Sequence, residues 1–362
     1  MTGKQEAVIH DSANNSMNIS DKDLLQDKQA NWERDGERIR SLFGSTWQRH
    51  PITKKSYFDW QFLEKPKGEG IGYYVAPYAN PELCAGIYVV IPVSILVGDK
   101  KIEFSTSLYT MTHPQYYKQG IFRRLATRTY EECVSKGIFG TIGIPNNNSL
   151  PGFTKALGFE TIGSFQVLAR LAHLPHIYNE SKQIERIVSE KDLANLEFDL
   201  DKLKAASGVV LAERSPDFIS WRFIQCPSVK YHVAAYVDNS NSVRGMIVVR
   251  STKKRGIPVT VILDFLVDEA FSEADAVAAT LLSEADRLAW QSFSPIIMTL
   301  VNPYSSEAKI LTRQGFKNLP KRVLPHDSKF IIKLHRDLPG DLKQRLLTFE
   351  NWYFSFADYD IF

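Results

Sequence analysis

The segment Thr112–Leu125 combines residue types that could bind a phosphorylated ligand. It has the pattern of a strand end, a loop with Pro114 and Gly120, and an amphipathic helix. The first turn of such a helix directs free N–H groups and the positive end of the helix dipole at one point. Gly120 would let a phosphate approach the backbone closely. The basic side chains nearby are Lys118, Arg123 and Arg124. The pattern predicts a pyrophosphate site; the alternative is an ordinary loop-to-helix junction with solvated charges.

An internal repeat organises the elements that would position this segment. Trp60–Pro66 (WQFLEKP) returns 161 residues later as Trp221–Pro227 (WRFIQCP). Three further matches follow in the same order: Gly86–Val90 with Gly245–Val249, Leu157–Phe159 with Gln314–Phe316, and Asn147 with Asn302. Four matches in one order indicate two copies of one domain.

Each copy has the same predicted order of elements. A helix precedes the Trp motif; an extended segment, a Gly-led hairpin, a helix, a buried strand, a short helix and a last strand follow it. The predicted segments are Gly72–Ala76 and Tyr231–Val237 (extended), Gly86–Val97 with Lys101–Met111 and Gly245–Arg250 with Val259–Val267 (hairpins), Gly120–Lys136 and Glu273–Ser292 (helices), and Ile138–Ile144 and Ile296–Val301 (buried strands). A helix that crosses between strands predicts the α/β class, with mixed α+β sheets.

The domain boundaries follow from the repeat and from local composition. The predicted division is a polar, mobile tail (1–30), a first domain (31–175), a second domain (176–340) and a C-terminal segment (341–362). We expect the tail to lead into a helix from about Asp21, and the helix that starts near Glu33 to end at Gly44. The aromatic run Trp352–Phe362 is expected to dock back on the core, because a free tail with that much apolar surface would lower solubility.

The Thr112–Leu125 segment resembles the acyl-CoA-binding motif of GNAT acetyltransferases, in which V-x-P-x-x-[RQ]-x-x-G-x-[GA] joins a strand to a helix. The spacing from Pro114 to Gly120 fits this motif. From Glu33 to Phe362 the chain also resembles tandem-GNAT proteins of polysaccharide or lipid biosynthesis, which share a W-x-[FY]-x-x-x-P segment, a G-I-F loop, a P-N-x-x-S turn and an aromatic C-terminus. The resemblance implies two GNAT domains, with acetyl-CoA as the acyl donor bound by the first.

The resemblance also implies which residues bind the donor. They are Thr110, Met111, Thr112, Lys118, Gln119, Gly120, Ile121, Phe122, Arg123 and Asn147. Three positions depart from the family pattern. Tyr117 stands where the motif prefers Arg or Gln, Phe122 stands where it prefers Gly or Ala, and Thr154 stands where many members have the Tyr that protonates the leaving thiolate. The second copy reads Leu266–Phe271 (LVDEAF) in place of the loop, and its two carboxylates would repel a pyrophosphate, so we expect no donor there.

Acyl transfer from a thioester to an amine needs a base for the amine, a donor for the oxyanion and a route for the thiolate to leave. The strand Tyr109–Thr112 should lie beside the thioester and supply a backbone N–H. Candidate bases are Glu103, His113, Asp358, Asp360 and the carboxylate of Phe362. Candidate acids are Tyr109, Tyr116 and Tyr117. The ending resembles GNAT proteins that place their C-terminal carboxylate in the active site; the alternative is a segment that only seals the interface between the two halves.

Composition excludes several classes of protein. The chain has 362 residues, of which 44% are hydrophobic, so it is neither disordered nor fibrous. The formal net charge of +3 gives no electrostatic reason to expect nucleic-acid binding. Cys84, Cys133 and Cys226 lack CxxC spacing, which favours a reducing compartment over a disulfide framework or a zinc site. We find no leader and no membrane-spanning run, and we expect a cytoplasmic protein without a metal.

These observations predict an acetyl-CoA-dependent N-acetyltransferase that transfers the acetyl group directly to an amine. The resemblance implies an amino sugar or another small amine of a polysaccharide or envelope pathway as the acceptor, and no nucleic-acid partner. Two alternatives are a Fem-type aminoacyl transferase, which would use aminoacyl-tRNA, and a non-catalytic acyl-CoA-binding scaffold.

Overall fold

The segments rich in Val, Ile and Tyr form the strands of two mixed β-sheets. A computed structural model describes residues 24–173, 183–196, 208–254, 256–320 and 327–359. The strands are β1 Leu25–Gln29, β2 Ile71–Pro77, β3 Gly86–Val97, β4 Lys100–Thr112, β5 Gly140–Gly143, β6 Glu160–Ser164, β7 Gln166–Leu171, β8 Ile184–Ile187, β9 Val210–Ala212, β10 His232–Val237, β11 Val243–Lys254, β12 Ile257–Val267, β13 Ile296–Val301, β14 Lys317–Asn318 and β15 Lys329–Leu334. The α-helices are α1 Trp32–Thr46, α2 Lys55–Phe62, α3 Ile121–Ser135, α4 Glu190–Ala194, α5 Pro216–Ile219, α6 Ala274–Gln291, α7 Ser306–Arg313 and α8 Gly340–Leu347. Short 3₁₀ turns occur at Pro51–Thr53, Pro114–Tyr116 and Phe349–Asn351, and π-helical turns at Gly152–Ala156 and Ser220–Ile224.

The two sheets have the same central arrangement. The first has the order β1-β2-β3-β4-β5-β15-β6, with β9 beside β3, and the second has the order β14-β7-β13-β12-β11-β10-β8. In each sheet an antiparallel hairpin (β3–β4 or β11–β12) is followed by a long helix (α3 or α6) and by a strand parallel to the second hairpin strand. The apolar stripes of these helices, which include Leu125 and Leu281, are buried against the sheets. The predicted mixed α/β class is confirmed.

The two sheets exchange their last strands. The chain runs through β6 in the first sheet and then continues as β7 in the second sheet. Conversely, β14 lies in the second sheet, whereas β15 lies in the first sheet between β5 and β6. The predicted boundary at residue 175 therefore does not separate the two sheets, because each sheet contains a strand from the other half of the chain.

The repeated Trp motifs meet at the junction of the two halves. The rings of Trp60 and Trp221 are stacked, with centroids 4.8 Å apart and an interplanar angle of 16°. Each indole N–H donates to the backbone carbonyl of the other residue, at 2.8 and 2.9 Å. Residues that correspond in the sequence are thus reciprocal partners in the fold, and they join the halves by a buried contact.

Two helix expectations near the N-terminus are wrong. Leu25–Gln29 form an edge strand paired antiparallel with β2, where a helix from about Asp21 was expected. Asp27 on this strand pairs with Arg124 at 2.9 Å, so α3 also holds the strand in place. Helix α1 continues past Gly44 to Thr46. Its C-cap residue is Trp47, whose N–H donates to the carbonyl of Phe43. Asp21 itself lies outside the described residues.

Candidate active site

Strands β4 and β5 separate after a short parallel ladder, and the gap between them is here called the first cleft. The ladder consists of Phe104–Gly140, Ser105–Thr141 and Thr106–Ile142. Beyond it lies a cavity of about 540 Å³, lined by Ser107–Thr110 on one strand and by Gly143–Asn146 after the other. A Cβ on Gly143 would lie 3.6 Å from that of Ser107, so the absence of a side chain at Gly143 leaves this space open.

A β-bulge in β4 redirects the backbone beside the cavity. Leu108 pairs with Val89 and Met111 pairs with Ile87, so Tyr109 and Thr110 together lie opposite a single residue of β3. Tyr109 has a φ of +54°, which is uncommon for a residue with a side chain. Strained backbone of this kind is concentrated at sites where main-chain groups face a ligand. Tyr109 and Thr110 both line the cavity.

Aromatic side chains form the α1 side of the first cleft. The ring of Tyr109 lies 5.9 Å from Phe43, 6.4 Å from Trp47 and 6.0 Å from His50. His50 accepts the N–H of Ile52 at its Nδ1 atom, at 3.1 Å. A neutral imidazole that accepts at Nδ1 carries its proton on Nε2. In this arrangement His50 is a hydrogen-bond donor and not a base.

The N-terminus of α3 lies at the outer end of β4. A Cβ on Gly86, which pairs with Thr112, would lie only 2.8 Å from Cγ2 of Ile121, the first helical residue. Gly120 has a φ of +71°, and no side chain caps the helix. A Cβ on Gly120 would contact nothing within 4 Å. The first-turn N–H groups therefore face an open surface, as a phosphate site requires.

The charges around this helix end are distributed differently from the sequence expectation. Lys118 and Arg123 are exposed beside Gly120. Arg124 instead forms the ion pair with Asp27. Lys118 has a φ of +65°, so the loop turns sharply on either side of Gln119. Two cations remain at the predicted phosphate site.

The phosphate site and the inner end of the first cleft are joined by one stretch of β4. Thr112 and Ser107 are five residues apart, which is about 17 Å along a strand. Thr110 and Phe122 line the cavity itself. Met111, whose side chain is buried, continues the strand between the two ends. An extended ligand with an anionic group at one end fits this layout.

The wall opposite β4 is formed by a turn and a π-helical turn. Oδ1 of Asn146 accepts the N–H groups of Asn148 and Ser149, both at 3.0 Å. Asn146 and Asn148 line the cavity, whereas the predicted Asn147 between them does not. A Cβ on Gly152 would lie 2.9 Å from the ring of Phe122, so the large residue in the phosphate loop is matched by a glycine across the gap.

Thr154 does not reach the cavity. Its hydroxyl donates to the carbonyl of Leu150 at 3.1 Å, within the turn itself. Gly152 and Phe153 line the cavity in its place. The residue at the position of the family's tyrosine therefore has no contact with the space between β4 and β5.

The other candidate acids and bases occupy different places. Glu103 lies four residues before Ser107, about 13 Å away along β4. Its carboxylate accepts from Ser94 at 2.8 Å, and it lines a separate groove. His113 accepts the N–H of Gln115 at 3.4 Å within the loop. Tyr117 is 58% exposed. Tyr109 is the described candidate that the fold brings to the cavity.

Asp358 is held in a buried ion-pair network. Both carboxylate oxygens accept from the guanidinium of Arg214, at 2.8 and 2.7 Å. Nε of the same Arg214 donates to Asp264 at 2.8 Å, and the side chain of Arg214 is fully buried. The next residue, Tyr359, lines the first cleft and donates its hydroxyl to the carbonyl of Ile144 at 2.8 Å. Asp360 and Phe362 lie outside the described residues, and their catalytic roles stay predictions.

Strands β12 and β13 also separate, and the gap between them is here called the second cleft. Their parallel ladder ends at Ile262–Thr299, and the C-terminal segment fills the space beyond it. The N–H of Ala357 donates to the carbonyl of Leu263 at 3.0 Å, and Tyr353 donates to Asp264 at 2.5 Å. The cavity left there is about 10 Å³.

The approach to the second cleft also lacks a phosphate site. Helix α6 is preceded by Glu273, a carboxylate, where α3 is preceded by Gly120. In the loop between β12 and α6, Asp268 forms an ion pair with Arg244 at 3.1 Å, and the guanidinium of Arg244 lies 4.8 Å from the ring centroid of Phe271. Carboxylates in this loop and at the start of the helix would repel an anion.

Several residues of the first cleft escaped the sequence reasoning. They include Trp47, His50, Ser107, Gly143 and Tyr359, all of which line the cavity. Ser107 and Gly143 were detectable as the small residues that follow the last paired positions of two neighbouring strands. No sequence signal identifies His50 or Tyr359, because long-range packing brings both to the site.

Two further properties apply to the described part of the chain. No three His, Cys, Asp or Glu side chains there are close enough together to hold a metal ion. No helix there has the length and apolar character needed to cross a membrane.

Comparison with known proteins gives one family-model match, in the first half of the chain. Residues 28–162 match the family model described as acetyltransferase (GNAT) domain. A search of curated proteins finds no match.

Several solved structures share the fold. A GCN5-related N-acetyltransferase from Anabaena variabilis has a TM-score of 0.60 and 13% identity, over 86% of this chain and 73% of that chain. Saccharomyces cerevisiae N-myristoyltransferase with bound myristoyl-CoA has a TM-score of 0.59 and 13% identity, over 92% and 90%. A GCN5-related N-acetyltransferase from Kribbella flavida has a TM-score of 0.57 and 15% identity, over 86% and 71%. Residues 28–162 thus match the GNAT acetyltransferase domain model, and the chain as a whole has a GNAT-like fold.

Proposed function

We propose that this protein is an acetyl-CoA-dependent N-acetyltransferase and that its donor site is the first cleft. One observation carries the proposal: the open gap between β4 and β5 extends from Ser107, at its inner end, to Phe122 in the first turn of α3, an uncapped helix N-terminus with two exposed cations. This arrangement can hold a pyrophosphate at one end and a thioester at the other, joined by an extended arm. The match of residues 28–162 to the GNAT domain supports the same assignment.

The residues around α3 hold the phosphates in this proposal. The N–H groups of Ile121, Phe122 and Arg123 point at the pyrophosphate, and Lys118 and Arg123 neutralise its charge. Gln119 and Gly120 shape the loop. The pantetheine arm lies along Thr110–Thr112 and pairs with backbone groups that β5 leaves free.

In this proposal a backbone N–H of the β4 bulge serves as the hydrogen-bond donor to the thioester carbonyl. Because that donor is fixed by the fold, it stabilises the oxyanion without reorganisation during the reaction. The amine attacks from the side formed by Trp47, His50 and Tyr359. No covalent enzyme intermediate is required, because the amine and the thioester meet directly.

The C-terminal acid Asp360 is the candidate base in this proposal, with a segment that only seals the interface as the alternative. The position of Tyr359, the preceding residue, at the first cleft supports this candidate. Asp358 and Glu103 take no part, since the first is paired with Arg214 and the second lies outside the cavity. The proposed acceptor, an amino sugar or another small amine of a polysaccharide or envelope pathway, rests on the family resemblance.

The proposal further holds that the chain is a duplication with one donor site, divided near residue 175. The filled second cleft and the Asp268–Arg244 pair support the expectation that the second half binds no acetyl-CoA. The chain's composition and the reduced state of its three buried cysteines fit a cytoplasmic location.

Isothermal titration of the protein with acetyl-CoA tests the donor site. We expect one molecule bound per chain and no heat with bulk tRNA. Gly120→Trp should abolish acetyl-CoA binding, because the indole would cover the helix N-terminus. Gly158→Trp is the matched control, since Gly158 has the same φ of +71° and the same open surroundings but lies away from the phosphate site.

Three results would contradict the proposal. Absence of acetyl-CoA binding would remove the donor site, and tRNA binding in its place would favour the aminoacyl transferase. Two molecules bound per chain would show that the second half is a donor site as well. Binding with no thiol release in the presence of any amine from a broad panel would favour the scaffold.

A further inference from the structure

Three hydroxyl groups form a row from the core beneath α3 to the first cleft. The hydroxyl oxygens of Tyr130 and Tyr88 are 2.5 Å apart, and that of Tyr88 lies 2.9 Å from Oγ of Ser107. Tyr88 is fully buried, and Tyr130 is 6% exposed. Ser107 lines the cavity. One end of the row is therefore in the core and the other is in the proposed active site.

The direction of these hydrogen bonds follows from counting donors. Each hydroxyl has one hydrogen to donate, and the row contains two hydrogen bonds. Either oxygen of each pair can be the donor, and a buried hydrogen without an acceptor is costly. Among the described residues the Tyr130 hydroxyl bonds to Tyr88, so the direction that gives both phenolic hydrogens an acceptor runs from Tyr130 to Tyr88 and from Tyr88 to Ser107. The hydrogen of Ser107 is not used within the row and is available to the cavity.

Both tyrosines act as neutral donors. Burial raises the pKa of Tyr88, and it raises the pKa of Tyr130 well above its usual value. Neither phenol ionises near neutral pH, so the row keeps its direction. Hydrogen bonds in a row also polarise one another, which makes the last hydroxyl a stronger donor.

We propose that Ser107 donates a hydrogen bond to the sulfur of coenzyme A as the thioester breaks, and that Tyr88 and Tyr130 position this donor. The inference rests on the proposed function. Ser107 follows the last ladder pair, Thr106–Ile142, and so lies at the inner end of the first cleft. Its partners show that it faces α3, the side from which the donor arm enters. Thr154 is turned away from the same space.

The step is balanced without proton transfer from Ser107. The amine nitrogen forms a bond to the acetyl carbon and loses a proton to the general base. The C–S bond breaks, and its electron pair stays on sulfur as a thiolate. Ser107 stabilises this anion by its O–H, and the thiolate takes a proton from water when coenzyme A is released. Ser107 is thus a catalytic residue, and the two tyrosines are positioning residues.

The pKa of the thiol in bound coenzyme A tests the inference without an acceptor. It is measured by thiolate absorbance while the pH is raised, as a difference from the same protein saturated with desulfo-coenzyme A. Ser107→Ala should raise this pKa by about 1, which corresponds to a loss of about tenfold in thiolate stability from one charge-assisted hydrogen bond. Ser107→Thr, which retains the hydroxyl, should restore the wild-type value.

Ser105→Ala is the matched control. Ser105 lies two positions earlier on the same face of β4, and its hydroxyl bonds to Thr141 at 2.8 Å away from the cavity. The Ser105→Ala substitution should leave the pKa of the bound thiol unchanged. Tyr88→Phe should raise that pKa, because Ser107 loses the donor that orients it, and Tyr130→Phe should have a smaller effect in the same direction.

The outcomes separate this inference from the proposed function. Coenzyme A that binds normally with the same thiol pKa in wild type and Ser107→Ala would overturn the role of Ser107 and leave the donor site standing. An equal rise in Ser105→Ala would also overturn it, as a general effect of lost packing. Failure of the wild-type protein to bind coenzyme A would overturn the proposed function and this inference with it.

Discussion

The two clefts have the same strand geometry and opposite contents. In each sheet a parallel ladder ends where two strands separate, at Thr106–Ile142 and at Ile262–Thr299. The first cleft contains a cavity of about 540 Å³, and the second contains about 10 Å³. The next residue on the shorter strand is Gly143 in the first and Leu300 in the second. The open site thus has a glycine at the inner end of its gap, and the filled site has a leucine there.

The comparison shows how this fold deals with the polar backbone that a separating pair of strands exposes. Buried N–H and C=O groups need partners. In the second cleft the chain supplies them itself, since Ala357 donates to Leu263 and Tyr353 bonds to Phe265 and Asp264. The first cleft holds an open cavity instead, at whose wall the hydroxyl of Tyr359 donates to the carbonyl of Ile144. In the proposed function a ligand occupies the space that residues 352–357 fill in the second cleft.

Arg214 holds the occupant of the second cleft in place. It pairs with Asp264 on β12 and with Asp358 in the C-terminal segment, and all three side chains are nearly inaccessible to solvent. The same contact fixes the chain just before Tyr359, which lines the first cleft. A single arginine therefore connects the filled cleft with the open one.

Breaking this ion-pair network should cause the largest loss of stability among these predictions. Arg214→Met leaves two buried carboxylates without a counter-charge, and we expect it to lower the free energy of unfolding by about 3–5 kcal/mol. Urea denaturation followed by tryptophan fluorescence measures the loss. The control is Arg313→Met, which removes an exposed ion pair with Asp275 and should cost less than about 1 kcal/mol. Equal losses in the two variants would show that the C-terminal segment is held by other contacts.

Filling the first cleft with the residue of the second should abolish donor binding. Gly143→Leu places a side chain beside Ser107, and we expect at least about a 100-fold loss of acetyl-CoA affinity, or about 2.7 kcal/mol. Gly143→Ala is the control, because its Cβ would make ordinary contacts of 3.6–3.8 Å with Ser107 and Ile331. Calorimetry measures both. Wild-type affinity in Gly143→Leu would place the donor outside the first cleft.

Acid should destabilise the first sheet through His335, which follows β15. Its ring lies 2.7 Å from Oγ1 of Thr141, and burial together with the nearby Lys333 lowers the pKa of His335 to about 4. The fold favours the neutral imidazole, so its contribution is complete above the unfolded pKa of about 6.5 and is lost as the pH falls from there through about 4. Allowing for partial solvent access, we expect a loss of about 2 kcal/mol.

Denaturation curves between pH 7 and pH 4 measure this loss. His335→Gln should flatten the pH dependence over that range. His232→Gln in the second half is the comparison, since burial and the nearby Arg287 also lower the pKa of His232. A larger flattening of the pH dependence by His232→Gln would locate the main acid-sensitive contact in the second sheet, which contains His232.

The sequence by itself predicted the order of the elements, and it supplied the internal repeat and the glycine that precedes α3. The predicted strand Ile296–Val301 is found at the same residues, and the predicted helix Gly120–Lys136 is found at 121–135, because apolar periodicity and glycine punctuation are local signals. The position of Gly120 before an uncapped helix was likewise readable from residue spacing alone. The strand Leu25–Gln29 was missed, because its polar residues are held by β2 and α3, which are distant in sequence.

Only the tertiary structure decided which elements share a site. The exchange of β7 and β15 between sheets, the stacking of Trp60 on Trp221 and the path of the C-terminal segment are all contacts between residues far apart in sequence. The role of Asp358 depends on Arg214, 144 residues away, and the direction of the Ser107 hydroxyl depends on Tyr88 and Tyr130. Local patterns carry no information about such partners, because a side chain's chemistry is set by the groups that burial places around it.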